Sequence, residues 1–351
     1  MVRTYDIINA GPKNRFLASG RIVSNSGRLL QVQNLPQNKL PDLGAARALV
    51  RAGEFEAVEM LYDSISTTLS ELIRTAIIPE PSCKLIVADF SAIEARVIAW
   101  FAKEQWRLDV FATHGKIYEA SASAMFHVPL EEITHDHPLR AKGKIAELAL
   151  GYGGSSKALE TMGALGMGLS EDELPDIVKR WRKANRHIVS WWYSLENAAF
   201  NALSDASGLD EIGGIRFRFT NNHLFMDLPS GRSLCYYNAR IGRNRFGNPS
   251  IHYEGMNQVT RRWEVTDTYG GKLAENATQA TARDCLRDAM LRLDEAGYDI
   301  RMHVHDEVII NEPQAGRTYK DVCEIMGRPI DWAPKLILRA DGFETEYYRK
   351  D

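Results

Sequence analysis

Cysteine is scarce in this chain and badly spaced for chemistry. There are four, Cys83, Cys235, Cys285 and Cys323, and no two stand in a CxxC pair. That spacing argues against a zinc site and a disulfide framework, and points to reduced thiols in a cytosolic setting. Long hydrophobic runs are missing as well. No stretch approaches the roughly 20 apolar residues of a membrane span, so no membrane partner is expected. The first residues, MVRTYDIINAGPKNRF, lack the apolar core of a secretory signal. Internal repeats and low-complexity tracts are absent from the sequence. So is a dominant charge. The net value of −3 neither demands nor forbids nucleic acid, because a local basic face can hide in a near-neutral total.

What remains is a globular composition, 44% hydrophobic and 25% charged, on a chain of 351 residues that can bury one large core or two. Residues 1–40 are rich in Gly, Asn, Ser and Pro and read as extended pieces and turns. Pro41 to Ile78 reads as helix, split at Gly53. Further helices are expected over Trp106 to Met125, Pro138 to Tyr152, Ser156 to Leu169 and Ser170 to Leu203. From Gly213 the pattern alternates, and strands are expected at Ile215 to Phe219, Leu234 to Ile241 and Ile251 to Met256. A long helix over Ala274 to Ala296, a strand or tight hairpin over Arg301 to Asn311, a helix near Gly316 to Gly327 and a last short strand complete the chain. This order, helices around acid-bearing strands with a helical insertion, fits an α+β fold.

Leu85 to Trp100 is the first stretch with chemical content. Leu85-Ile86-Val87-Ala88 reads as a buried strand ending in Asp89, and Ile93, Val97 and Ile98 then recur at helical spacing. An acid at the end of a buried strand needs a partner, and a bound cation is one. Capping of the following helix by Asp89 or Ser91 is the plainer alternative. Far downstream, Asp306 stands in an apolar strand-like run with Val304, Val308, Ile309 and Ile310, and His305 and Glu307 are expected to point to the opposite face. Inward charge guarding an edge strand is the plainer reading there. If the two strands were neighbours, Asp89 and Asp306 would offer hard oxygen ligands that suit Mg²⁺ and in-line phosphoryl transfer.

The helix beginning at Pro138 supplies a complement. Arg140, Lys144, Leu148 and Tyr152 recur every four residues and share one face. A guanidinium fork and a point charge one turn apart suit a triphosphate, although a solvated basic stripe would look the same.

Taken together in this order, these segments resemble the family A DNA polymerases, the bacterial polymerase I type, and their bacteriophage members in particular. The resemblance rests on Asp89-Phe90-Ser91-Ala92-Ile93-Glu94-Ala95-Arg96, on Arg140, Lys144, Tyr152 and Gly153, and on His305-Asp306-Glu307. Gly20-Arg21-Ile22 with Gln33-Asn34-Leu35-Pro36 is a weaker match. It implies a right-hand polymerase palm, an antiparallel sheet with helices, formed by residues 1–104 and 206–351, with a helical fingers subdomain inserted at 105–205. The implied activity is template-directed transfer of nucleotides from dNTPs to a primer 3′-end. Asp89 and Asp306 would hold two Mg²⁺ ions, and Lys144 would join them as a catalytic residue. Arg140, Lys144, Leu148 and Tyr152 would line the nucleotide site, with Glu94 as the gate against a ribose 2′-hydroxyl. Arg21, Gln279, His305 and Glu307 would contact the primer-template DNA. The implied setting is the cytoplasm of a bacterium or of a phage-infected host.

Three departures qualify that picture. Leu148 stands where the family often carries an aromatic residue, and Glu275 stands where it carries an Asn. The family's thumb and exonuclease domains have no counterpart in these residues, so a separate thumb or exonuclease polypeptide is an expected partner. The alternative is a catalytically weak or partner-dependent DNA-binding fragment. A single-subunit RNA polymerase relative is a third reading, against which Glu94 argues.

Overall fold

The computed structural model describes residues 15–18, 21–24, 32–62, 64–204, 209–244, 246–257, 260 and 262–350, with 15–18, 21–24 and 209–210 as backbone only. In chain order the elements are β1 (Arg15–Ala18), β2 (Arg21–Ser24), α1 (Leu43–Ala52), α2 (Phe55–Tyr62), α3 (Ile65–Leu72), β3 (Cys83–Phe90), α4 (Ile93–Ala102), α5 (Gln105–Ala112), α6 (Ile117–Phe126), α7 (Pro138–Leu150), α8 (Ser156–Thr161), α9 (Leu174–Ala184), α10 (Arg186–Ser204), β4 (Leu209–Ile212), β5 (Ile215–Thr220), β6 (His223–Asp227), β7 (Ser233–Arg243), β8 (Pro249–Met256), β9 (Trp263–Thr268), α11 (Gly270–Glu295), β10 (Asp299–Val304), β11 (Glu307–Pro313), α12 (Tyr319–Met326) and β12 (Ala340–Thr345). They form two compact units, one of residues 1–90, 289–326 and 340–351, the other of 91–288 and 327–339.

The first unit is built on an antiparallel sheet of order β10-β11-β3-β12. Its inner strands β3 and β11 are buried almost throughout, which is why they read as unbroken apolar runs in the sequence. Leu85, Val87, Val304 and Ile309 pack with Val32 and Tyr348 into one core cluster. Each such side chain contributes roughly 1.5–3 kcal/mol when fully buried. The expected helical stretch before β3 is three helices, not two. Gly53, at φ 78°, closes α1, and Ser64 starts α3 by accepting from the Thr67 N–H. Such a left-handed closure favours Gly, and a Ser cap needs no apolar signal to be effective.

The second unit joins helices α4 to α10 to a six-stranded meander in which β4 to β9 lie side by side in chain order. Ile215, Phe217, Leu224 and Met226 form its buried side, and α10 packs on the same strands. Strands β6 and β9, and the edge strand β4, are additions to the three strands expected from the sequence. They are short, and β4 and β9 carry polar and acidic residues that hide the alternation. Close packing of α6 on α7 depends on Gly143, where a Cβ would fall 2.2 Å from the Tyr118 carbonyl oxygen. Among the described residues, no helix is long and apolar enough to cross a membrane.

Candidate active site: an acid cluster and a basic helix

The pairing of β11 with β3 brings the two acids of interest into one neighbourhood. Glu307 lies directly opposite Asp89, and on the other side of β3 the partner of Asp89 is Asp341 of β12. Three carboxylates therefore form a row across three strands. Asp306 is not on a strand, as its apolar surroundings suggested. It occupies, with His305, the two-residue turn between β10 and β11. His305 takes a left-handed φ of 54°, and the Asp306 carbonyl accepts from the Phe90 N–H at 3.4 Å. The hairpin tip is thereby held at the end of β3. Glu307, the first residue of β11, is buried.

The plainer reading of Asp89 is removed by the start of α4. The N-cap is Ala92, in the left-handed region at φ 51°, and no side chain caps the helix. The turn is held by the buried Arg96, which donates to the carbonyls of Ser91 and Ile337. Neither Asp89 nor Ser91 is therefore the N-cap residue, and Asp89 is exposed.

The electrostatics are those of crowded acids. Burial pushes the Glu307 carboxyl up to about 7, and the charges of Asp89 and Asp306 push the same way against the hydrogen bond from Tyr348. Among the described residues, no three His, Cys, Asp or Glu side chains are arranged as a ready-made metal cage. Burial and the nearby charges of Asp341 and Asp89 push the Cys323 thiol up to about 11.

In the other unit, α7 presents the basic stripe. Its buried side is Gly143, Ile145, Ala146, Ala149 and Leu150, while Lys144 and Leu148 are exposed and Arg140 is half-buried. The helix ends at Leu150, two residues before Tyr152, but Gly151 keeps helical angles and carries the chain onward. Arg140 Nε donates to Glu119 at 2.7 Å, and Arg140 and Lys144 both stand over the Tyr118 ring, at 5.7 and 6.0 Å. Burial opposes ionisation of Glu119, yet the Arg140 hydrogen bond holds its carboxyl below the ordinary range. The Tyr152 hydroxyl donates to Glu94 at 2.7 Å. Burial and then that carboxylate push the phenol well above its usual pKa, so it stays a donor. Gln279 is exposed on α11 and His305 on its turn. Arg21 falls in β2, whose side chains lie outside those described.

The sequence matches the family described as DNA polymerase family A over residues 13–202. The chain belongs to DNA polymerase family A. Its relatives include the DNA polymerase of Bacillus phage SP02, 52% identical over 96% of this chain. DNA polymerase I of Geobacillus stearothermophilus is 29% identical over 81% of it. The chain spans 52% of the phage protein and 28% of the bacterial one. Among solved structures, the POL domain of Pol1 from M. smegmatis, in complex with DNA primer-template and dNTP, matches 93% of this chain and 46% of its own. The TM-score is 0.54 at 19% identity, a likeness of fold.

Two sets of supporting contacts, one in each unit, are invisible to motif reasoning. One stands behind Glu307. Tyr348, fully buried, donates its hydroxyl to Glu307 at 2.7 Å and receives Arg74 Nη1 at 3.3 Å. Arg74 is itself buried and grips the carbonyls of Leu35 and Pro36, the end of the weak N-terminal match. The other stands behind α7. Glu147 accepts from Arg107, Ser121 and the Trp181 indole, tying α5, α6 and α9 to the back of the helix.

Proposed function

We propose that this family A polymerase chain catalyses template-directed addition of deoxynucleotides to a primer 3′-end. The observation that carries the reading is the β3–β11 pairing, which sets Asp89 beside the turn that bears Asp306. The two carboxylates are the residues that would hold two Mg²⁺ ions. Bound there, such ions would neutralise the triphosphate and acidify the primer hydroxyl. Everything else is asked of the side chains. Arg140, oriented through Nε by Glu119, can still offer its terminal nitrogens as a fork to phosphate oxygens. Lys144, exposed one turn on, adds a point charge and a proton for the departing pyrophosphate. Glu94, its carboxylate fixed by Tyr152, blocks the space of a ribose 2′-hydroxyl. Tyr152 sits by the templating pair, and Leu148 offers an aliphatic wall to the incoming sugar. Arg21, Gln279, His305 and Glu307 act on the primer-template side. The β10-β11-β3-β12 sheet plays the palm, and α5 to α10 the fingers.

A second reading is favoured by the span of the chain, about half that of the phage relative. In it, extension depends on a thumb or exonuclease polypeptide. Primer extension with dNTPs and Mg²⁺ separates the two when run on the chain alone and with a supplied thumb-bearing polypeptide. Asp89→Ala and Asp306→Ala are each expected to lower the rate by at least about a hundredfold, a loss of the order seen when a transition-state charge loses its partner. Undiminished extension by either variant would sink the metal assignment.

A further inference from the structure

The meander of β4 to β9 supplies none of the residues above. One side of it is covered, by Ile215, Phe217, Leu224, Met226 and Tyr236 packing inward. An antiparallel sheet covered on one side ordinarily turns polar side chains outward. This one turns out a row of rings. The Arg218 guanidinium stands 4.9 Å over Phe225, which stacks on His223 at 6.2 Å. His223 meets Tyr237 edge-on at 4.5 Å, and Tyr237 meets Trp263 at 5.9 Å. Tyr237 and Trp263 are both 44% exposed, and Val265 continues the row on β9. Val265 also lines a cleft of about 630 Å³, with Arg243, Phe246, His252 and Tyr269 and the acids Glu196 and Asp267.

Charge completes the chemistry. From Gly213 to Trp263 the chain has eight arginines and no lysine against two acids, Asp227 and Glu254, in a protein whose total is −3. The other acids of the sheet gather on its edge strands, Asp210 and Glu211 on β4, Glu264 and Asp267 on β9. Exposed rings with an arginine surplus suit a strand whose bases are unpaired, because every base has a face to stack and every phosphate a guanidinium to meet. A duplex hides its base faces and cannot use the row. We infer that the outer face of the meander is a platform for single-stranded DNA. The inference goes beyond the polymerase reading and does not need it.

The test is fluorescence anisotropy with a labelled thymidine oligonucleotide and a blunt duplex, using the full chain. The paired change Tyr237→Ala with Trp263→Ala is expected to weaken single-strand binding by at least about tenfold while duplex binding is kept. Tyr237→Phe with Trp263→Phe retains the rings and should retain binding. In the unaltered chain the oligonucleotide should slow maleimide modification of the exposed Cys235, which pairs with Phe225 on the same face. Unchanged affinity in the alanine pair, or unslowed modification, overturns the platform. So does a dimer of the unaltered chain, seen by sedimentation, that the alanine pair disperses without loss of single-strand affinity. Asp306→Ala should leave single-strand binding intact, so failure of the polymerase reading and failure of this one are separately visible.

Discussion

The most instructive single residue is Tyr348, because its hydroxyl serves two charged groups at once. It donates to Glu307 and accepts from Arg74, all three being buried. Tyr348→Phe keeps the ring and removes the link. Hydrogen bonds to charged groups contribute about 1.5–3 kcal/mol, so urea unfolding should show a loss in that range. A loss under about 0.5 kcal/mol would mean that the link is made equally well by water. The pair Arg74 and Tyr348 stands 274 positions apart, so no local pattern announces it. Asp89, Arg140 and Lys144 stand out in the sequence for the opposite reason, whereas Glu94 is singled out only by the family resemblance. Each of those three sits on a strand end or helix face whose own short-range periodicity marks it, and the pairing of strands then does what periodicity promised.

At the scale of elements, the contact of α6 with α7 decides where the basic stripe points. Gly143 permits it, and a methyl group there meets backbone, not a side chain that could swing away. Gly143→Ala should destabilise the fold by about 1–3 kcal/mol, as overpacking does. It should also raise the KM for dNTPs more than it lowers kcat, since Tyr118 and Glu119 would leave Arg140. Steady-state extension kinetics check this, and an unaltered KM would show that the stripe is oriented from the Glu147 side alone. The α7 stripe itself was legible because amphipathic spacing survives in one helix. The hairpin over Arg301 to Asn311 was legible as one of two alternatives, a strand or a tight hairpin, but not the position of Asp306 in its turn, since no Gly or Asn marks the bend. The meander was legible only in its middle strands, where buried residues alternate.

The molecule as a whole carries its stability unevenly with pH, and Asp227 shows how. The Arg218 hydrogen bond, with Ser233 and Arg216 assisting, holds its carboxyl at about 2 against an ordinary 3.8. A carboxyl held low is protonated in the unfolded chain first. Its contribution is therefore complete above about pH 4 and lost as the pH falls through about 2. Solvent screens the two half-exposed arginines, so the effect is modest. Thermal unfolding followed from pH 5 to pH 2 should fall more steeply for the parent chain than for Asp227→Asn, and parallel curves would deny the role. The hairpin of β10 and β11 has a different kind of consequence for the whole chain. Surface turns are usually where sequences gain and lose residues over generations. A turn of two residues whose second member is Asp306 has no length to give. One inserted residue would move the carboxylate away from Asp89 or shift the register of a buried strand. The spacing from Val304 to Glu307 is thus as fixed a property of this protein as the identity of the acid it carries.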